Sequence, residues 1–357
     1  MPVISVTIST YNVGAFIAET ISSVLAQSFQ DWELILVDDA STDDTVAQII
    51  VFAQRDTRIR FFQNAENHGT GYTLNRCMQE ATGMYIARLD ADDTARNQWL
   101  EHGVAFMRTH PDHVLVSFPR MLINTNGHLL GRSHESSFAS ILGWELIFGN
   151  PIPHSGTIYP IDIIREIGGY DVKLRTGQDW DLWTRLMASG TMTIKEPPMI
   201  HYRVREQSLS SYYKNDREYK EPIVRPVMER MAKQVAGMQL PDDLIWLLYR
   251  NRPIVQVDRQ TCMRAIQCVF DIADAYRAQH GITDVAPLLG SSVLDKIAHI
   301  SLSANWSPAT AHRVIISVVR RFGLRSLTSR VGCLALVKLL FPWYQRIVTG
   351  RAPSISA

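Results

Sequence analysis

Asp90, Asp92 and Asp93 place three carboxylates within four positions, directly after the apolar segment 84–89. Side chains two positions apart in an extended chain project to the same side, so Asp90 and Asp92 can converge on one ligand. Carboxylates this close raise each other's pKa unless a cation lies between them. Because the donors are oxygens with no adjacent Cys or His, the pattern favours Mg²⁺ or Mn²⁺, which complete their coordination with phosphate oxygens and water. The alternative is a solvated acidic turn that caps a helix beginning near residue 97.

Two further polar segments follow predicted strands and are suited to holding a nucleoside. Asp39 can accept the N–H of a nucleobase, whereas Ser41 and Asp43 are better explained as caps of the next helix. Residues 9–12, with the sequence STYN, supply small hydroxyls and an aromatic ring after the first strand. Tyr11 can stack on a base, although a tyrosine at a sheet edge also serves as simple packing.

Asp179 lies at the start of a predicted helix, in the sequence GQDWDLW of residues 177–183. An anionic side chain is stabilised near a helix N-terminus, which suits a general base as well as a helix cap. Trp180 and Trp183 beside it are what a sugar-binding wall needs, and equally what a hydrophobic core needs. Taken alone, this segment favours neither interpretation.

The elements that must position these side chains alternate along the first hundred residues. Apolar patterns predict strands at 3–9, 33–37, 59–62 and 84–89, and helices at 15–25, 43–54 and 70–81. Such alternation predicts an α/β fold with a largely parallel sheet and helices on both faces. Ligands of these sheets bind beyond the carboxyl ends of the strands. All the polar segments named above, and Asn67–Gly71, follow predicted strands directly or open the next helix.

The later part of the sequence changes character near residue 212. Residues 113–212 continue as mixed strands and short helices, whereas residues 222–280 and 308–347 have mostly helical patterns. We therefore expect two domains, a catalytic domain at 1–212 and a helical C-terminal region at 213–357.

The composition is that of an ordinary globular protein, with 46% hydrophobic, 20% charged and 9% aromatic residues in a chain of 357. It excludes wholesale disorder, collagen-like structure and a polytopic membrane protein. The four cysteines form no CxxC pair and are too sparse for a disulfide scaffold, which favours a reducing compartment. Residues 3–9 alternate like a strand and are not preceded by a basic region, so no signal peptide is expected and the sequence predicts a cytoplasmic protein.

Charge is distributed unevenly along the chain. Residues 1–295 hold 27 cations and 35 acids, a net charge of −8, whereas residues 296–357 hold nine cations and no acid. Basic amphipathic helices can lie on anionic membrane surfaces, so this tail predicts a peripheral protein on the inner face of the membrane. The alternative is that its apolar residues pack on neighbouring helices while the cations stay solvated. No recognition motif accompanies the charge, so a nucleic-acid partner is not expected.

Five segments occur in a specific order: STYN near residue 10, VDDASTD near 38, NHGTG near 68, LDADD near 90, and GGYD followed by GQDWDLW at 168–183. This order resembles family 2 of the inverting glycosyltransferases, of the kind that build bacterial surface polysaccharides. The resemblance covers roughly residues 3–212. It implies the GT-A fold, a Rossmann-like mixed sheet that binds nucleotide-diphospho-sugars, here with a C-terminal α-helical extension.

The resemblance also implies roles for individual residues. Asp92 matches the metal-binding position of the DxD motif, Asp90 lies towards the ribose and the metal's waters, and Asp179 matches the catalytic base. The positions that hold the nucleoside are Ser9, Thr10, Tyr11 and Asp39, with Asp39 accepting the base N3–H. The residues expected on the acceptor side are His154, Trp180 and Asp181.

Arginines mark two points of interest around this motif set. Arg88 lies inside an apolar strand and needs an anionic partner, for which a structural ion pair is the expected explanation. Arg205 stands where relatives often have histidine. It cannot ligate a metal, but it can neutralise a diphosphate directly. Two other departures are Ser9, where many relatives have proline, and Leu74, where other branches carry an arginine that can reach phosphate.

The reaction implied is transfer of a sugar from a nucleotide-diphosphate donor, with UDP as the expected nucleotide, to a hydroxyl of a saccharide or lipid-linked saccharide. Mn²⁺ or Mg²⁺ is the expected cofactor. Asp90 to Thr94 also fit the DxDx(T/V) signature of haloacid-dehalogenase-type phosphatases, with Asp90 as nucleophile, although that signature normally follows the first strand. A catalytically inactive sugar-nucleotide-binding protein would be expected to lack Asp92 or Asp179. A dinucleotide-binding oxidoreductase is disfavoured because Gly69-Thr70-Gly71 is not followed by the third glycine of that motif.

Overall fold

A computed structural model of the chain describes residues 2–133, 139–205, 217–249, 257–280, 286–301 and 308–322. Contacts between Cα atoms divide the chain into two compact units. The first unit comprises Met1–Leu142 and Asn150–Lys214, and the second comprises Gly143–Gly149 and Asn215–Ala357. Both β-sheets belong to the first unit.

The chain begins with the alternation of strands and helices that its apolar patterns predict. In order, the elements are β1 (Ile4–Thr10), α1 (Gly14–Leu25), β2 (Trp32–Asp38), α2 (Thr45–Ala53), β3 (Ile59–Gln63), α3 (Thr70–Glu80) and β4 (Tyr85–Arg88). Every element predicted over residues 3–89 is therefore confirmed, with bounds that differ by at most two residues.

The following part of the chain mixes short strands and helices. In order, these are β5 (Thr94–Ala95), α4 (Trp99–Thr109), β6 (His113–Ser117), β7 (Arg120–Ile123), β8 (Leu129–Arg132), α5 (Ala139–Phe148), β9 (Ile158–Pro160), α6 (Ile161–Glu166), α7 (Gln178–Leu186), β10 (Thr191–Ile194) and β11 (Ile200–Arg203). α7 begins inside the GQDWDLW segment, as that sequence predicts.

Seven strands form a mixed sheet in the order β10-β6-β9-β4-β1-β2-β3. Neighbours run parallel except for β9, which is antiparallel to both β4 and β6. The carboxyl ends of β4, β1 and β2 therefore meet at one edge of the sheet, where Thr10 lies opposite Asp38. A second sheet, in the order β5-β11-β7-β8, pairs His201 of β11 with Thr94 of β5. This pairing brings the end of β11 beside the segment that follows β4.

The central strands are apolar because neighbouring strands and packed helices cover them. Every residue of β2 is buried, as are Ile4 and Ile8 of β1. α1 contributes Ile17, Ile21 and Val24 to the same core, a spacing that places all three on one face of the helix. Burial of each such side chain stabilises the fold by about 1.5–3 kcal/mol. That packing holds the strand ends in place, and with them the polar segments that follow.

The second unit is helical in its described residues, which confirms the predicted C-terminal helical extension. Its helices are α8 (Arg217–Ala236), α9 (Ile245–Leu248), α10 (Arg259–His280), α11 (Ala286–Ser301) and α12 (Pro308–Phe322).

The basic tail predicted at 296–357 is described only in part. In α12, Val314, Val318 and Phe322 are buried at intervals of four residues, and Arg321 pairs with Asp274 at 3.3 Å. This arrangement matches the alternative in which the apolar residues pack on neighbouring helices. Residues 302–307 and 323–357, including most of the predicted tail, lie outside the described residues. Among the residues that the structure does describe, no helix is both long enough and apolar enough to cross a bilayer.

Candidate active site

Thr10 and Asp38 join the ends of β1 and β2. Asp38 is fully buried, and its carboxylate accepts hydrogen bonds from Thr10 Oγ1 at 2.9 Å, Ser41 N at 2.8 Å and Gln63 Nε2 at 3.3 Å. Thr10 is also buried, so its hydroxyl contributes to the hydrogen bonds around Asp38 inside the protein. Tyr11, the next residue, is 49% exposed, so its ring is available for stacking.

Asp39 shapes the loop that connects β3 to α3. Only 3% exposed, it accepts hydrogen bonds from Asn64 Nδ2 at 2.7 Å, His68 N at 3.0 Å and Gly69 N at 2.7 Å. Gly69 has a φ of +89°, which a residue with a Cβ adopts only at a cost. The carboxylate of Asp39, which is predicted to accept the N–H of a base, therefore also holds the β3–α3 loop in place. Its contact with the base stays a prediction, as does that of Ser9.

The loops after β1 and β2 are bonded to each other. Asn12 and Ala40 both have left-handed backbones, with φ of +49° and +62°, which non-glycine residues rarely adopt. Asn12 N donates to Ser41 Oγ at 2.9 Å, and Asn12 Oδ1 accepts from Thr42 N at 2.8 Å. Ser41 thus ties the two loops together, and the helix-capping role predicted for it is wrong.

Asp43 supports the beginning of α2. Its Oδ1 accepts the N–H of Thr45, the first residue of the helix, at 3.0 Å. Its Oδ2 accepts the N–H of Gly14, the first residue of α1, at 3.0 Å. These bonds hold the pKa of Asp43 below its usual range even though burial opposes them. The structural role predicted for Asp43 is therefore confirmed, and it extends to a second helix.

The aspartate cluster, which we define as Asp90, Asp92 and Asp93, follows β4. Asp90 Oδ1 lies 2.5 Å from Arg88 Nη2, and Arg88 is only 3% exposed, so the ion pair predicted for Arg88 is present. Asp92 Oδ2 lies 2.6 Å from Arg205 Nη2. Asp93 is fully buried, and its Oδ1 accepts the N–H of Arg203 at 2.9 Å.

The surroundings of the aspartate cluster favour the ionised form of one carboxylate and disfavour that of the other two. Burial and the charge of Asp90 raise the pKa of Asp92, although Arg205 opposes the shift. Burial and the charges of both neighbours raise the pKa of Asp93 well above its usual range. The Arg88 guanidinium, by contrast, holds the pKa of Asp90 below its usual range even though burial opposes it. A divalent cation bound at Asp92 would relieve the remaining repulsion.

The donor set fits a cation that shares its coordination with a nucleotide. Within the described ranges, no group of three or more His, Cys, Asp or Glu side chains is arranged to hold a metal ion alone. Mg²⁺ and Mn²⁺ are commonly held by one or two carboxylates together with substrate phosphates and water. Asp92, with Asp90 beside it, can supply the carboxylates.

Arg203 anchors the aspartate cluster, a role that the sequence does not reveal. Its guanidinium donates to the backbone oxygen of Asp92 at 2.8 Å, to Glu19 Oε2 at 2.6 Å and to the backbone oxygen of Thr125 at 3.1 Å. Its own backbone N–H bonds to Asp93. The partners of Arg203 come from three separate parts of the chain. The sequence therefore gives a single indication of this role, which is that a second arginine lies two positions before Arg205.

Asp179 is the second residue of α7 and is partly buried. Its Oδ1 accepts the N–H of Trp180 at 2.8 Å, and its Oδ2 accepts Asn150 Nδ2 at 2.7 Å. Burial raises the pKa of Asp179, the positive charge of Arg88 lowers it and the negative charge of Asp90 raises it. The electrostatic influence of Arg88 and Asp90 therefore extends to the predicted base. Asn150, which lies 29 residues earlier in the sequence, was not expected at the site.

The predicted acceptor residues lie in well-packed surroundings. His154 Nε2 is 2.7 Å from Tyr170 Oη, and burial lowers the pKa of His154 well below its usual range. Trp180 is 3% exposed. Asp181 is 6% exposed and pairs with Arg185 at 2.8 Å. The acceptor role of His154, Trp180 and Asp181 stays a prediction.

Known proteins of one family are similar to this chain. The family described as "Glycosyl transferase family 2" matches residues 5–157. The "Putative glycosyltransferase EpsE" of Bacillus subtilis is 34% identical over 210 residues, which cover 58% of this chain and 74% of that protein. The chain belongs to glycosyltransferase family 2. A second B. subtilis relative, the "Putative teichuronic acid biosynthesis glycosyltransferase TuaG", is 39% identical over 106 residues, or 30% of this chain and 42% of that protein.

Solved structures of low sequence identity share the fold of this glycosyltransferase. Residues 1–349 of S. aureus TarS, crystallised with UDP-GlcNAc, match with a TM-score of 0.55 and 18% identity over 92% of both chains. The mannosyltransferase PcManGT of Pyrobaculum calidifontis, in complex with GDP-Man and Mn²⁺, matches with a TM-score of 0.50 and 17% identity over 91% of this chain and 87% of that one. The predicted GT-A fold is confirmed. The phosphatase, inactive-binder and oxidoreductase alternatives gain no support.

The hydrogen bond between Asn150 and Asp179 predicts a pH effect on transfer. If Asp179 is the general base it must be ionised, so activity should fall as the pH drops through its pKa, which burial has raised above the usual aspartate range. Asn150→Ala removes a donor to the ionised carboxylate and raises this pKa further. The acidic limb of kcat/KM against pH should then move to higher pH. Asn126→Ala, at an exposed loop position, is the control, and an unmoved limb in Asn150→Ala would contradict the assignment.

Proposed function

We propose that this glycosyltransferase transfers a sugar, with inversion, from a UDP-sugar to a hydroxyl of a saccharide or lipid-linked saccharide during the assembly of a cell-surface polysaccharide. The name of the B. subtilis relative TuaG, a putative teichuronic acid biosynthesis glycosyltransferase, supports the setting, and the UDP-GlcNAc complex of TarS supports the nucleotide. The Mn²⁺ complex of PcManGT supports a divalent cation.

The observation that carries the proposal is that one short segment, residues 150–155, bonds to both the aspartate cluster and Asp179. Asn150 Nδ2 donates to Asp179 Oδ2 at 2.7 Å, and Ser155 Oγ accepts the N–H of Asp90 at 3.1 Å. The proposed donor-binding carboxylate and the candidate base therefore flank the same segment. A glycosyl transfer needs this proximity because the reacting hydroxyl must meet the anomeric carbon next to the diphosphate.

On the donor side, Tyr11 stacks on the base and Ser9 and Asp39 contact the nucleoside, while the buried Thr10 supports the site through its hydrogen bond to Asp38. The exposed ring of Tyr11 supports this assignment, because the backbone oxygen of the preceding residue, Thr10, accepts the N–H of Asp39 at 2.8 Å. Asp90 lies towards the ribose.

For the diphosphate, Asp92 is the principal ligand of the divalent cation, with Asp90 beside it. When bound, the cation stabilises the negative charge of the leaving UDP. Arg205 supplies a further positive charge to the diphosphate.

Asp179 acts as the general base. Its carboxylate accepts the proton of the acceptor hydroxyl while that oxygen forms a bond to the anomeric carbon. The bond between the anomeric carbon and the diphosphate oxygen breaks in the same displacement, and its electron pair leaves with UDP. A single displacement inverts the anomeric configuration and needs no enzyme nucleophile. Asn150 and the N–H of Trp180 orient the carboxylate before the reaction. His154, Trp180 and Asp181 shape the acceptor side.

The arrangement of the whole chain follows from the same proposal. Residues 1–212 form the catalytic domain, and residues 213–357 form a helical region whose tail, 296–357, contacts the anionic inner face of the membrane. Lys296 is 6% exposed and Arg321 pairs with Asp274, so the support for contact with anionic lipid comes from the other seven cations of this tail and from its lack of acids. A cytoplasmic enzyme held there meets both soluble sugar nucleotides and lipid-linked acceptors.

A panel of nucleotide sugars tests the proposal. We expect UDP-sugars to raise the melting temperature with Mn²⁺ more than without it, and more than GDP- or dTDP-sugars do. With the donor found in this way, NMR of the first product should give the anomeric configuration opposite to that of the donor. Equal stabilisation by all nucleotides, or retention of configuration, would contradict the proposal.

A further inference from the structure

Arg203 is the last residue of β11, and Arg205 follows it two positions later. Both side chains lie near the same aromatic ring. The guanidinium carbons are 5.0 Å and 5.3 Å, respectively, from the ring centroid of Phe16 on α1. Despite this shared position, the two arginines have different surroundings.

Arg203 is fixed in place. Its side chain is 1% exposed, and its guanidinium donates to Glu19 and to backbone oxygens of Asp92, Asn124 and Thr125. Moving this group, whose own side chain is buried, would leave its guanidinium donors without acceptors, which is costly.

Arg205 is more accessible. Its side chain is 27% exposed, and its Nη2 lies 2.6 Å from Asp92 Oδ2. Partial exposure to water lowers the cost of separating an ion pair. Asp92, which is 16% exposed in its side chain, is the carboxylate assigned above to the divalent cation. The same oxygen atoms therefore have two candidate positive partners.

We propose that Arg205 is an exchangeable internal cation. It holds Asp92 in the nucleotide-free enzyme, and it moves to the donor diphosphate when the divalent cation takes its place. Binding of the cation and binding of the nucleotide are coupled through this exchange. The inference rests on the proposed function, since it requires a diphosphate and a cation at this site.

Electrostatic repulsion between the two cations explains why the divalent cation and the nucleotide bind more tightly together. A divalent cation that binds alone must displace the guanidinium from Asp92 or lie beside it, and either arrangement places like charges together. A diphosphate offers oxygen atoms to both cations, and guanidinium geometry matches phosphate well. Each ligand therefore removes a cost that the other would face alone. By linkage, the nucleotide tightens cation binding by the same factor as the cation tightens nucleotide binding.

Titration of Mn²⁺ followed by electron paramagnetic resonance, with and without UDP, tests the exchange without an activity assay. For the wild-type chain we expect UDP to tighten Mn²⁺ binding by at least about tenfold. Arg205→Gln should bind Mn²⁺ alone about tenfold more tightly than wild type, and UDP should then add correspondingly less. Arg205→Lys keeps the charge, so its affinity for Mn²⁺ alone should stay close to that of wild type.

Arg132→Gln is the matched control. Arg132 lies on β8 with a side chain that is 42% exposed, and it pairs with Glu196 away from the aspartate cluster. Its Mn²⁺ affinity should equal that of wild type in both conditions. Melting temperatures of the variants show that each one is folded before it is titrated.

The outcomes separate the two proposals. If UDP binds the wild-type chain with Mn²⁺ but Arg205→Gln binds Mn²⁺ alone no more tightly than wild type, the exchange is wrong and the proposed function stands. If UDP does not bind the wild-type chain even with Mn²⁺, both are wrong. If Arg205→Lys binds Mn²⁺ alone as tightly as Arg205→Gln, the charge of Arg205 is not what competes with the cation, and the exchange is again wrong.

Discussion

Asp179→Asn should lower kcat for sugar transfer by roughly 10²–10⁴-fold, the range found when a general base is removed. The introduced amide has the size of the carboxylate, but it cannot take a proton from the acceptor hydroxyl. The bond from Trp180 N can persist to the amide oxygen, so the fold around α7 should be kept. UDP binding with Mn²⁺ should change by less than about twofold, because the aspartate cluster and the nucleoside site are untouched.

Steady-state kinetics and UDP titration together check this prediction. Asp162→Asn, at an exposed position in the first turn of α6, is the matched control and should retain wild-type activity. Near-normal kcat in Asp179→Asn would remove the base assignment. Loss of UDP binding equal to the loss of kcat would instead indicate that Asp179 shapes the donor site.

Asp92→Asn should abolish the dependence of UDP binding on Mn²⁺ and lower transfer by about 10³-fold or more. A neutral amide is a weak ligand for a hard divalent cation, so the cation loses its principal carboxylate. The charge of the leaving diphosphate then lacks its main stabilisation, a contribution worth several kcal/mol in metal-assisted reactions. UDP affinity in the presence of Mn²⁺ should fall to the value measured without the metal.

Stability should respond differently from activity in this variant. Removing the charge of Asp92 relieves part of the repulsion that raises the pKa of Asp93. The same change breaks the ion pair with Arg205, in which both side chains are mostly buried, and this loss offsets the relief of repulsion. We expect the free energy of unfolding to change by no more than about 1 kcal/mol. Asp112→Asn, which removes an exposed carboxylate with a side chain that is 71% exposed, is the control for the change of charge.

An Asp92→Asn variant that keeps Mn²⁺-dependent UDP binding would exclude Asp92 as the metal ligand. Calorimetric titration of UDP with and without Mn²⁺ gives this result directly. A large loss of stability would show that the pair with Arg205 is mainly structural, in which case lost activity would say nothing about the cation.

The sequence was sufficient for the elements of the first half of the chain. β1, β2 and β4 are short apolar segments bounded by polar residues, and local patterns define such segments well. Their order and the rule for parallel sheets also predicted that Tyr11, Asp39 and Asp90 would follow strand ends at one edge. These inferences succeeded because they depend on neighbours in sequence.

The strand β9 illustrates what the sequence could not supply. It inserts antiparallel between β4 and β6, with Ile86 opposite Tyr159 and Val116 opposite Ile158. Pairing partners this distant along the chain leave no periodic signal in either strand. Ser41 is a smaller case of the same kind. Its hydroxyl was expected to cap the helix that follows, but it accepts a hydrogen bond from the backbone N–H of Asn12 in another loop.

By itself, then, the sequence determined which residues carry charge at the ends of strands, and the order of its motifs resembled one family. Only the tertiary structure decided that Arg205 pairs with Asp92 and that Asn150 donates a hydrogen bond to Asp179. Coulomb energies and hydrogen bonds act over a few ångströms in space, regardless of separation along the chain. The residues that control the acidity and the cation affinity of this site therefore emerge only when distant segments are folded against each other.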